Sequence, residues 1–212
     1  MAGNANAIQS SPAYAIPEGV ANQADRIGPQ GGGLGDGLMG NLYESVRTNN
    51  MFYAVNQAAV TTTVALALTY TGLLVYNPVG NLKNLVIRAL NFRLSVAQAG
   101  ISQIWVFTGG AATNGVTTFT TELAWGTAMD CLKVGPNRNY GTARAVTSGV
   151  IVAPKLTMPL GGSFTAGALA GDTPSFIDMQ GGIILEPGFY CGIAALTVAV
   201  GFGAIWWSEV PR

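Results

Sequence analysis

The stretch from Phe189 to Trp207, FYCGIAALTVAVGFGAIWW, runs nineteen residues without a charge. That is long enough for a helix to cross a membrane, so how this run folds decides the class of the whole chain. Its residues argue for strands. Gly192, Gly201 and Gly203 weaken a helix, while Thr197, Val198 and Val200 are β-branched. Val-Gly-Phe-Gly at 200–203 divides the run into two strand-sized pieces. No Lys or Arg cluster flanks it to set a membrane orientation. Glu186-Pro187-Gly188, just ahead, is a turn that launches a strand. The run therefore reads as a buried β-hairpin, with no membrane as partner.

The same grammar extends upstream. Leu90, Phe92, Leu94 and Val96 alternate with Asn91, Arg93, Ser95 and Ala97, one buried face against one wet face, as in antiparallel sheets. Val64, Leu66, Leu68 and Tyr70 keep period two after Thr61-Thr62-Thr63, and Gly72 shifts the phase before Leu74 and Tyr76, as a bulge does. Asn77-Pro78-Val79-Gly80 is a turn. Further strands are expected at Ile101–Phe107, Val116–Trp125, Met129–Val134, Arg144–Ala153, near Leu156–Met158, and at Phe176–Met179, Ile183–Leu185, Phe189–Val200 and Ala204–Val210. Gly161 to Pro174 reads as a loop, and Leu42 to Asn56 is the best candidate for a short helix. Helical crossovers are missing, which disfavours a parallel α/β fold. The expected fold is all-β: an antiparallel, jelly-roll-like β-sandwich of about eight to ten strands over residues 46–212.

Residues 1–45 differ. They hold Pro12, Pro17 and Pro29 and the run GPQGGGLGDG at 28–37, with no sustained period. Alone, such a segment buries too little apolar surface to offset its ordering entropy. It is expected to be an extended arm held by a neighbouring subunit. Gly35-Asp36-Gly37-Leu38-Met39-Gly40 spells GxGxxG, but no strand precedes it and no acidic residue closes a βαβ unit.

Charge removes whole classes of function. Ten Lys and Arg balance ten Asp and Glu, the charged share is 9%, and there is no His; soluble domains carry about 25% charged residues. Nucleic-acid binding through phosphate neutralisation lacks its basic excess. Every mechanism with a His base, nucleophile or metal ligand is excluded. A carboxylate pair could be drawn from Glu122 and Asp130, but nothing local makes them converge, and no GxSxG, Walker A or SxxK sequence occurs. No enzyme, cofactor or metal site is expected. Cys131 and Cys191 lie sixty residues apart without a CxxC; a disulfide is one option, and two buried free thiols are favoured. The N-terminal MAGNANAIQSSPAY lacks the basic and apolar regions of a secretory signal, which points to a cytosolic origin.

A domain this neutral needs its surface covered by Thr and Asn or by partners. The adjacent Trp206 and Trp207 face opposite sides of a strand, so one belongs to the core and the other to an outer face or interface. Expected assembly contacts are Pro12, Tyr14, Ile16, Pro17, Leu34, Leu38 and Met39 in the arm. Phe189, Tyr190, Trp206 and Trp207 are expected in the core or at a subunit seam.

The Gly/Pro arm, the Thr/Ala/Gly-rich strands and the closing block GGIILEPGFYCGIAALTVAVGFGAIWWSEVPR together resemble tailed-bacteriophage virion proteins. The likeness is to the small β-sandwich cement, or decoration, type. That resemblance implies a homotrimer made in the host cytoplasm, resident in the virion and bracing the major capsid protein, without enzymatic activity. A tail, collar or head-fibre component is the alternative within virions. A carbohydrate-binding sandwich, with Trp207 as its stacking platform, is the alternative outside them.

Overall fold

The computed structural model describes residues 45–62, 67–96, 102–110, 116–164 and 176–212. The sandwich lies within Asn49–Arg212. Its first six strands are β1 (Met51–Val55), β2 (Val60–Thr62), β3 (Thr69–Tyr76), β4 (Lys83–Leu94), β5 (Ser102–Gly110) and β6 (Val116–Glu122). The rest are β7 (Met129–Cys131), β8 (Arg144–Ile151), β9 (Lys155–Phe164), β10 (Phe176–Leu185), β11 (Phe189–Ala195) and β12 (Ala199–Pro211). Twelve strands among the described residues exceed the eight to ten expected. The surplus is β1, which falls in the stretch read as a helix, and β2, too short at three residues to show a period in sequence.

The strands form two antiparallel sheets, one ordered β10-β4-β12-β1-β7 with β2 also on β12, the other β6-β8-β3-β11-β5-β9. The pairing is nested. β1 pairs with β12, β3 with β11, β4 with β10 and β5 with β9. A chain paired in that order is one long hairpin rolled up, which is the jelly-roll winding. Inward residues of both sheets make the main core: Phe52, Leu85, Ile87, Leu90, Phe92, Ile205 and Trp207 meet Leu73, Val75, Ile104, Val106, Cys191 and Ile193.

The second sheet also buries its other face. Only residues 152–154 connect β8 to β9, yet three strands, β3, β11 and β5, separate them in the sheet. Laid flat, β8 and β9 would be about 19 Å apart, more than three residues span at about 3.5 Å each. The sheet must curl. Inside the curl Tyr70, Leu74, Phe107, Val146, Ile151 and Tyr190 form a second core. Phe107 makes edge contacts with Tyr70 and Tyr190 at centroid distances of 5.1 and 5.8 Å. The Tyr190 hydroxyl donates to the Val152 carbonyl at 2.9 Å, pinning the β8–β9 turn across the curl.

Several sequence expectations hold at residue level. Leu90, Phe92 and Leu94 are buried on β4. Gly72, at φ +131°, sits where the β3–β8 register shifts between Thr71 and Leu74. Other expectations are corrected. Val96 falls beyond β4 and is 51% exposed, because the strand ends at Leu94. Of the short helix expected at 42–56, the described residues keep one turn at 45–47, ended at Asn49 in the left-handed region (φ 63°). Met51–Val55 is instead a strand, because Phe52 and Ala54 bury inward between β12 and β7. β9 runs through Pro159 to Phe164, into the segment read as loop; an edge strand tolerates the missing N–H. The two pieces near 176 and 183 are one strand joined across an irregularity between Asp178 and Ile183.

The C-terminal run folds as two strands but not as a hairpin: β11 belongs to one sheet and β12 to the other, and the chain crosses between the sheets at Leu196-Thr197-Val198 rather than turning at 200–203. Gly201 lies inside β12 for packing: a Cβ there would sit 2.6 Å from Cζ of Phe92, whose ring fills the space. Among the described residues no helix is long and apolar enough to cross a membrane.

Candidate functional site

A cleft of about 700 Å³ lies where the β5–β9 edge of one sheet parts from β10 of the other. Its walls come from β5 (Thr108 to Gly110), β9 (Lys155, Thr157), β10 (Gly182 to Leu185) and the start of β11 (Phe189, Tyr190), with Asn84 of β4 alongside. The turn Glu186-Pro187-Gly188 closes one end. Gly188 takes φ +93°, Phe189 N donates to the Glu186 carbonyl at 3.1 Å, and Asn77 anchors the turn from behind. Asn77 is buried; its amide donates to the carbonyls of Lys83 and Leu185, both at 2.9 Å, fastening β4 to β10.

The cleft mixes apolar and polar groups. Ile184 is 58% and Phe189 37% exposed. The Thr108 and Thr157 hydroxyls are 2.9 Å apart. Oδ1 of Asn84 is buried without a hydrogen-bond partner among the described residues, an acceptor waiting for a donor. Neither Lys155 nor Glu186 is in a salt bridge among the described residues. An elongated ligand with apolar groups, a donor and an ionic end matches this lining.

The assembly contacts expected from sequence fall in different places. Pro12, Tyr14, Ile16, Pro17, Leu34, Leu38 and Met39 lie outside the described residues. Tyr190 is wholly buried in the curl, and Phe189 is on the cleft wall. Trp207 is fully buried against Phe52 and Trp125, at centroid distances of 6.0 and 6.5 Å, so it cannot be a stacking platform. The outward partner is Trp206, half-buried, opposite Tyr53 of β1 and Ala89 of β4, beside a hollow of about 130 Å³. Lys155, Glu186, Asn84 and Thr108 were invisible as a group in sequence. Only the Glu-Pro-Gly turn signalled that something is organised at this end.

Glu122 and Asp130 are each engaged by an arginine of their own. Arg144 meets Glu122 at 2.8 Å and Arg138 meets Asp130 at 2.9 Å. A hollow of about 370 Å³ has Glu122 on its wall without Asp130. Among the described residues no group of three or more His, Cys, Asp or Glu could hold a metal ion. Cys131 and Cys191 are buried free thiols.

Burial pushes the Cys191 thiol up to about 12 and raises the Tyr70 and Tyr190 hydroxyls. These are acids that the fold keeps neutral. Above the ordinary thiol value of 9.0 the unfolded chain loses the Cys191 proton while the native chain keeps it. The unfolded state then binds fewer protons, so stability falls as pH rises, by about 1.4 kcal/mol per pH unit for Cys191 once its unfolded form is ionised. Urea midpoints are expected to be level near neutrality, to drop steadily above 9, and to drop less steeply in Cys191→Ala. An equal slope in that variant would contradict the buried thiol.

No family model, no curated protein and no solved structure matches this chain.

Proposed function

We propose that the chain is a non-enzymatic structural protein of a tailed-phage virion, of the capsid cement type. In this reading it assembles as a homotrimer and braces major capsid subunits through residues 1–45. The jelly-roll winding supports it, being a scaffold that capsid domains share with lectins. Sparse charge supports it too, because a surface covered by partners does not need ionic protection.

The observation that carries the proposal is an apolar end on the sandwich. Ser95 N donates to the Val200 carbonyl at 2.9 Å, which sets Val96 beside the turn bearing Leu196 and Val198. Ile151 N donates to the Leu68 carbonyl at 2.9 Å at the same end of the other sheet. Leu68, Val96, Leu196 and Val198 are all exposed. Grouped exposed aliphatics mark surfaces that are covered in use.

Deleting residues 1–40 is expected to weaken incorporation into particles while leaving thermal unfolding of the sandwich nearly unchanged. Quantifying the protein in purified particles beside a melting curve checks this. Normal incorporation of the deleted chain overturns the arm's role.

A further inference from the structure

The cleft between the sheets has two unfinished walls. Among the described residues β9 pairs only with β5, and β10 only with β4, so each presents an edge toward the gap. Away from the cleft both edges are blunted, β9 by Pro159 and β10 by its irregularity between Asp178 and Ile183. The regular part of β10, Ile183 to Leu185, lies on the cleft wall. The β10 edge, regular where the cavity adjoins it, suits an added extended strand, while β9, whose register with β5 shifts between Leu156 and Met158, contributes side chains to the opposite wall.

The lining specifies what that strand carries. Ile184 and Phe189 need apolar side chains at alternate positions, Asn84 Oδ1 needs a donor, and Lys155 needs an anion. Residues 12–18, Pro-Ala-Tyr-Ala-Ile-Pro-Glu, have this composition. Tyr14 and Ile16 alternate with Ala13 and Ala15, and a tyrosine hydroxyl is a donor. Pro12 and Pro17 bracket a stretch whose interior residues all keep their N–H, and Glu18 follows with the anion. The 26 residues from 19 to 44 span up to about 85 Å when extended, enough to reach a neighbouring sandwich.

We infer that the cleft receives residues 12–18 of a second copy of this chain, laid along the β10 edge and facing the side chains of β9. This rests on the proposed role of the arm as an assembly contact and names where the arm goes.

The test is a disulfide trap in the full chain carrying Ile16→Cys and Ile184→Cys. Ile184 is exposed and both native thiols are buried, so the engineered pair reacts without competition. Mild oxidation is expected to give covalent oligomers on non-reducing gels, with a 16–184 link found by peptide mapping. Adding Lys155→Glu should cut the yield severalfold, and adding Glu18→Lys to that variant should restore it. A link only within one chain, or an unchanged yield with Lys155→Glu, overturns the inference. No 16–184 link, while deletion of residues 1–40 still abolishes incorporation, overturns the cleft as receiver and leaves the arm's role standing. Normal incorporation of the deleted chain instead removes the arm reading itself.

Discussion

Replacing Glu209 by alanine is expected to destabilise the sandwich by about 3–5 kcal/mol, the range found when one member of a buried ionic network is removed. The Glu209 side chain is fully buried on β12. Its Oε2 accepts from Thr142 N at 2.6 Å, Ala143 N at 3.0 Å and the Thr142 hydroxyl at 3.1 Å, while Oε1 faces the Lys83 ammonium at 3.4 Å. One carboxylate thus ties the last strand of the first sheet to the entry of β8 in the second. Alanine strands two backbone donors that have little other recourse, and an unmade buried hydrogen bond costs more than a made one contributes. Lys83 is partly exposed and water can take over its charge, so the backbone amides dominate the loss. Glu209→Gln keeps an oxygen in place but loses the charge-assisted bonds, for an expected loss of about 1–2 kcal/mol. Urea denaturation measures both. An alanine variant within about 0.5 kcal/mol of the parent, the usual scatter of surface changes, would refute this account of the network.

Trp207→Ala should rank with it, at about 3–5 kcal/mol, because a large buried ring leaves a cavity its neighbours cannot fill. Phe52, at 6.0 Å, and Trp125, at 6.5 Å, would lose their shared partner. The neighbouring Trp206→Ala is expected to cost about 1 kcal/mol or less, since that ring is already half in water. Trp207→Phe should cost less than its lost volume suggests, because the buried Trp207 indole N–H has no acceptor among the described residues and phenylalanine removes it. Equal losses for the two alanine variants would mean the strand is turned over.

Period-two patterns were legible wherever one face is wet. β4 is the clear case, with Asn91 and Arg93 outward against Leu90 and Phe92 inward. The Gly72 irregularity was legible for the same reason, as a slip in an otherwise regular phase. In β11, Tyr190 to Ala195 are all buried because the curl covers both faces, so alternation carries no information there. The turn position was misplaced because glycine has two uses: Gly201 and Gly203 looked like turn residues and are spaces for Phe92 and Leu73. β1 was hidden by its length of five residues. The cleft was not legible at all. Asn84, Thr108, Lys155 and Glu186 come from four separate parts of the chain, and only the nested pairing brings them together.

That nesting also sets the order of events on the ribosome. β12 lies between β4 and β1, and it is the last strand of the sequence. Until its thirteen residues leave the exit tunnel, β1 and β4 have no common neighbour and their inner edges stay open. The sandwich cannot close before β12 has been made. It waits for a contact separated by more than 150 residues, Met51 with Ser208, and such long-range closure makes folding slow. Nascent chains translated on one message then carry paired-off but unclosed sheets at the same time and place, where open edges of sister chains meet most often.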